Sequence, residues 1–144
     1  SNKNKGGDSI LINGKMLFNY IKKNKPMIAK TLQKKYFFER RGFKFSKNNI
    51  FKKAIFENKK NFSMRYLREY IDTAYKILNK KIPTDQLIAL NYLDELLYKR
   101  NFQIRFKLKE GEIVVINNKI LAHGRTSFII GKSKPRKILR VWFN

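Results

Sequence analysis

Near Asn101 the spacing of apolar residues changes from three or four positions to two. That single switch dictates helices before it and strands after it. Upstream, Met64, Leu67, Ile71, Ala74 and Leu78 form one stripe and predict a helix over 63–79. Pro83-Thr84-Asp85 supplies a start signal, and Leu87, Leu90, Leu93 and Leu97 predict a second helix over 85–100. Nearer the start, Ile10-Leu11-Ile12 suits a sheet strand. Met16, Leu17, Tyr20 and Ile21 predict a helix over 14–24, and Pro26 opens a short one carrying Ile28, Ala29 and Leu32. Residues 35–57, broken at Gly42, read as strands and loops. Past the switch, Phe102, Ile104, Phe106 and Leu108 alternate with Gln103, Arg105 and Lys107, as in a half-buried strand over 102–108. After a turn at Lys109–Glu112, Ile113-Val114-Val115-Ile116 predicts a strand buried on both faces. Asn117-Asn118 turns the chain into Ile120-Leu121-Ala122, and 138–143 predicts a closing strand. Helices followed by short strands and tight turns predict an α+β fold with a jelly-roll core. At 144 residues, with no linker or internal repeat, one domain spanning 1–144 is expected.

Composition narrows the chemistry. There is no Cys and one His, which excludes disulfides, thiolate metal sites and any centre needing two imidazoles from this chain alone. No Gly-rich phosphate loop or Gly-x-Ser-x-Gly elbow is present. The net charge of +24 comes mostly from Lys, spread along the chain in pairs such as Lys22-Lys23 and Lys80-Lys81. Lys, Asn and Ile make 57 of the 144 residues, so a genome rich in A and T accounts for the composition. The charge is therefore read as a solvated surface rather than a nucleic-acid face, with a basic nucleic-acid-binding module kept as an alternative. No apolar run reaches the ~18–20 residues of a membrane span, and no charged-then-apolar leader opens the chain. The expectation is a cytoplasmic protein without a membrane partner.

Chemistry-bearing residues are densest near the C-terminus, in Leu121-Ala122-His123-Gly124-Arg125-Thr126-Ser127-Phe128 and Arg136-Lys-Ile-Leu-Arg140-Val-Trp142. An imidazole at a strand end with guanidinium groups nearby suits a metal bound beside an anionic ligand, because Arg grips carboxylates in a two-pronged geometry. This segment resembles the C-terminal signature of the iron(II)- and 2-oxoglutarate-dependent oxygenases of the taurine dioxygenase and clavaminate synthase-like superfamily. The matching elements are the Lys109–Glu112 turn, the apolar 113–116 run, Asn117-Asn118, the Leu121–Phe128 stretch and the Arg136–Trp142 stretch. Gly6-Gly7-Asp8-Ser9 resembles that family's Gly-Gly-Asp/Glu-Thr/Ser segment.

The resemblance implies a partial double-stranded β-helix with flanking helices. It implies Fe(II) and 2-oxoglutarate as cofactor and cosubstrate, a small organic substrate, and C–H hydroxylation coupled to oxidative decarboxylation of 2-oxoglutarate. Carried over, His123 is the distal iron ligand, facing the interior toward Arg136. Arg136 pairs with the far carboxylate of 2-oxoglutarate, Ser9 hydrogen-bonds the same group, and Arg140 faces the pocket. Arg125 is given only a structural hydrogen bond. The family's His-x-Asp/Glu pair, which would precede Gly6, has no counterpart here. The expectation is thus a C-terminal portion of an oxygenase domain, inactive alone and holding no complete catalytic set. An upstream segment or another chain would supply the missing ligands. The alternative is a non-catalytic remnant or partner subunit.

Overall fold

The computed structural model describes residues 5–40, 49–58, 60–129, 138, 139 and 141. Helices and small antiparallel sheets alternate, an α+β arrangement. The order is β1 (Lys5–Gly6), β2 (Ser9–Asn13), α1 (Gly14–Asn24), α2 (Pro26–Leu32), β3 (Lys35–Glu39), β4 (Ile50–Ala54), β5 (Phe56–Asn58) and β6 (Phe62–Met64). There follow α3 (Arg68–Ile77), α4 (Thr84–Tyr98), a 3₁₀ turn at Arg100–Phe102, β7 (Ile104–Phe106), β8 (Leu121–Arg125) and β9 (Phe128–Ile129).

The helices start where their chemistry says they should. Asn13 caps α1, its side-chain Oδ1 accepting from the Met16 N–H at 3.1 Å. Pro26 occupies the first turn of α2, where its missing N–H costs nothing. α4 begins behind Pro83 and buries Ala89, Leu90, Leu93 and Leu96. These side chains join Leu17, Phe18 and Ile21 of α1, Leu32 of α2, Tyr36 and Phe38 of β3, Phe56 and Ile71 in one apolar core. Inside it Phe18 and Phe56 pack with ring centroids 5.1 Å apart. No helix among the described residues is long and apolar enough to cross a membrane.

Three expectations change. The helix predicted over 63–79 begins only at Arg68, because Phe62–Met64 pairs with Phe56–Asn58 as a hairpin and Met64 is buried as a strand residue. The strand over 102–108 shrinks to Ile104–Phe106 and reverses its phase. The 3₁₀ turn before it puts Gln103 inside, with Nε2 donating to the Leu97 carbonyl at 2.6 Å, and leaves Ile104 64% exposed. Residues 113–116, expected as a strand buried on both faces, have no regular structure, and Ile113 is 86% exposed. No packed layer covers this run among the described residues. The closing strand expected over 138–143 lies partly outside the described residues, and 138, 139 and 141 are not in a strand.

The sheet that carries the sequence motifs has the order β7-β2-β8, antiparallel throughout. Its central strand runs straight into α1. The sheets are small and do not close into a barrel among the described residues.

Candidate functional site

The two motif segments, more than one hundred residues apart in sequence, meet on β2 and β8. Ser9 stands opposite Arg125, Leu11 opposite His123 and Asn13 opposite Leu121. On the other side of β2, Ser9 faces Phe106 and Leu11 faces Ile104. Residues directly opposite in an antiparallel pair share a face, and alternate residues along a strand do too. Ser9, Leu11, His123, Arg125, Ile104 and Phe106 therefore lie on one face. The other face presents Ile10, Ile12 and Ala122 to the apolar core, with Ile12 only 4% exposed. Ser9 and His123 thus share the face turned away from the core, and the His123 side chain is exposed. The enclosed setting expected for His123 is not formed by the described residues. Arg136 and Arg140 lie outside the described residues, so their expected approach to His123 and Ser9 does too.

A dense clasp fixes the junction next to Ser9. The Asp8 N–H donates to Thr126 Oγ1 at 2.8 Å, and the Thr126 N–H donates to the Asp8 carbonyl at 2.9 Å. The Gly7 N–H donates to the Ser127 carbonyl at 3.1 Å, and Arg125 Nε donates to the Gly7 carbonyl at 3.1 Å. The Arg125 guanidinium also lies 4.6 Å from the centroid of the Phe128 ring. The bond to the Gly7 carbonyl bears out the structural hydrogen bond expected of Arg125.

The glycines are required here for two reasons. Gly6 and Gly7 both have φ +75°, and a Cβ on Gly6 would sit 2.1 Å from the Ser127 carbonyl oxygen. Only a chain without side chains at these positions can lie so close to the strand after His123. Thr126 is the residue whose role the sequence did not reveal. Its position one step past the His-Gly-Arg run is the only signal, and that does not distinguish a solvent hydroxyl from one that accepts a backbone N–H.

A second polar assembly joins α3 to α4. Arg68 Nη1 donates to Asp94 Oδ2 at 2.7 Å and to Asn91 Oδ1 at 3.0 Å, Arg68 Nε donates to Asp72 Oδ1 at 3.0 Å, and Tyr66 Oη donates to Asp94 Oδ1. Burial first, and then the bond to Asp94, push the Tyr66 phenol well above its ordinary range. Every charge in it is paired, so it ties two helices together and offers no open ligand position.

Among the described residues no group of three His, Cys, Asp or Glu side chains could hold a metal ion. The donor set present does not fit a complete ferrous centre, which requires two imidazoles and a carboxylate. What the sheet offers is one imidazole and one hydroxyl-bearing residue on a common face.

No individually curated protein matches the chain. The family model described as "Taurine catabolism dioxygenase TauD, TfdA family" matches residues 1–142. With the Gly-Gly-Asp-Ser and His-Gly-Arg segments paired in space as well as present in sequence, the chain belongs to the taurine catabolism dioxygenase TauD/TfdA family.

Proposed function

We propose that this chain carries the distal part of an iron(II)- and 2-oxoglutarate-dependent dioxygenase site, which hydroxylates a C–H bond of a small organic substrate. The observation that supports it most is the register of β2 with β8, which puts Ser9 and His123 on one face of a sheet. In this reading β7, β2 and β8 form part of one wall of a double-stranded β-helix. The exposed face carrying Leu11, Ile104 and His123 is its interior side. His123 would hold iron through one ring nitrogen, Ser9 and Arg136 would bind the far carboxylate of 2-oxoglutarate, and Arg140 would serve the same pocket. When bound, iron and 2-oxoglutarate supply the oxidising power of the reaction. The chain's own part is to orient the cosubstrate and to cover it with apolar side chains. The two remaining ligands come from a polypeptide segment bearing His-x-Asp/Glu, in the same product or in another chain, because this sequence holds a single His.

Succinate formation from 2-oxoglutarate tests the reading. The 144-residue chain alone is expected to form none. A product that joins it to a family segment bearing His-x-Asp/Glu is expected to form succinate and to lose that activity in His123→Ala. Succinate production by the joined product that survives His123→Ala overturns the assignment. Succinate made by the chain alone overturns the ligand arithmetic.

A further inference from the structure

At the end of β2 opposite to Ser9, a cleft of about 460 Å³ opens between the start of α1, the β5–β6 turn and the 117–120 turn. Asn13 is four residues along β2 from Ser9, roughly 13 Å at the usual strand rise. Asn13 shares the face of Ser9 and Leu11, so the cleft lies at the far end of that face from Ser9, and its lining includes neither Ser9 nor His123. Its volume falls within the ~300–1,000 Å³ usual for small-molecule sites.

Hydrogen bonds determine what the lining can offer. Asn13 Oδ1 is occupied by the Met16 N–H at 3.1 Å, and Asn117 Oδ1 by the Lys119 N–H at 3.0 Å. Each carboxamide is therefore held by its oxygen, which leaves its Nδ2 as a donor. Lys15 and Lys119, two cationic residues, also line the cleft, as do Asn61 and the apolar Phe62 and Ile120. Among the described residues the lining contains no carboxylate. Three carboxamide residues, two of them held by their oxygens, two lysines and no acidic residue among the described lining residues suit an oxyanion and not a cation. The backbone holding these groups is fixed, since the Gly14 N–H donates to the Ile120 carbonyl at 2.9 Å and the Met64 N–H to the Lys119 carbonyl at 2.8 Å.

We infer that this cleft binds a small molecule carrying a carboxylate or phosphate on a compact apolar body, with the oxyanion on Asn13, Asn117 and the two lysines and the body against Phe62. The site is independent of the iron-dependent reading above. It uses neither His123 nor Ser9.

The test is a titration of the 144-residue chain with inorganic phosphate and with benzoate, at constant ionic strength, following side-chain amide resonances by NMR. Saturable shifts of the Asn13 and Asn117 carboxamides are expected, with benzoate binding more tightly than phosphate because only it reaches Phe62. Asn117→Asp keeps the oxygen that accepts from Lys119 but replaces the donor with a negative oxygen. It is expected to weaken binding at least tenfold without lowering Tm. Lys119→Gln leaves the backbone bonds in place and serves if Asn117→Asp fails to fold; it is expected to weaken binding about fivefold. Lys99→Gln, remote from the cleft, is expected to change nothing. Shifts that never saturate, an equal loss in Lys99→Gln, or unchanged binding in Asn117→Asp each overturn the proposal. So does binding of single-stranded RNA alone with a steep salt dependence, which would mark a diffuse polyanion surface.

Discussion

Two regions of this molecule handle apolar side chains in opposite ways. Every buried apolar residue among those described lies between Ile12 and Leu96. Ile113 and Val115, by contrast, are 86% and 72% exposed, and Leu139 is 89% exposed. The first region closes on itself, with α1, α2, α4 and the β3–β4 hairpin sharing one core. The second carries the residues that identify the family, yet it presents its apolar side chains to solvent. The difference teaches that family signature and self-sufficient packing are separate properties of a sequence. Here the signature sits on the part that needs further surface to cover it.

The largest effect expected from this contrast comes from paired truncations. Leu93→Ala in the closed region, at a fully buried position, should cost about 2–5 kcal/mol in denaturant unfolding. Ile113→Ser in the open region should stay within about 0.5 kcal/mol, as a surface change does. Equal losses at the two positions would erase the distinction.

An alkaline titration sharpens it. Tyr36 is fully buried in the closed region, with Oη donating to the Thr31 carbonyl at 3.1 Å. Burial, followed by the charge of Asp85 and the neighbouring Tyr75, raises its ionisation well above the ordinary value. A group whose folded pKa is raised contributes stability that is complete below its unfolded pKa, about 10, and is lost as pH rises through the folded value. Tm should therefore hold steady up to about pH 10 and fall beyond it. Tyr36→Phe should lower Tm at pH 8, through about 1 kcal/mol of lost hydrogen bonding, and flatten the alkaline fall. An alkaline slope unchanged in Tyr36→Phe would remove Tyr36 as its source.

The smallest effect belongs to the surface of the same region. Lys34 Nζ and Asp85 Oδ2 are 2.7 Å apart, with both side chains about half exposed. The Lys34 hydrogen bond, set against a smaller opposing desolvation, holds the Asp85 carboxyl below its ordinary value. A depressed carboxyl contributes stability above its unfolded pKa, about 3.9, and loses it as pH falls through the folded value. Solvent screening keeps that contribution small. Lys34→Gln should lower Tm slightly at pH 7 in low salt and leave it unchanged at pH 2. A large drop at pH 7 that persists in 1 M salt would show the pair to be better shielded than its exposure indicates.

Local signals made most of the closed region legible. Pro26 and Pro83-Thr84 mark the starts of two helices, and the leucine stripe of α4 marks its buried face. The β5–β6 hairpin is not legible because its connection, from Asn58 to Asn61, contains no Gly or Pro, and Met64 continues the helical spacing of Ile71 and Ala74 by coincidence. In the open region, four consecutive apolar residues report a tendency to be covered and say nothing about where the cover lies. Ile104 illustrates a different failure, since a single 3₁₀ turn shifts an alternating pattern by one and inverts it. At the site, the motif order made Ser9 and His123 legible, and β2 and β8 bring both to one face. The hydroxyl of Thr126 was not, because its role depends on a partner 118 positions away.

That clasp between Asp8 and Thr126 has a consequence in time as well as in space. Helices and adjacent hairpins form through contacts a few residues apart, whereas β2 and β8 must close a loop of more than one hundred residues. The Gly6-Gly7 turn can settle against Ser127 only once these distant segments have met. Contact order therefore expects Ser9 and His123 to become neighbours late in folding, together with the Ile10, Ile12 and Ala122 contacts that the same pairing brings to the core.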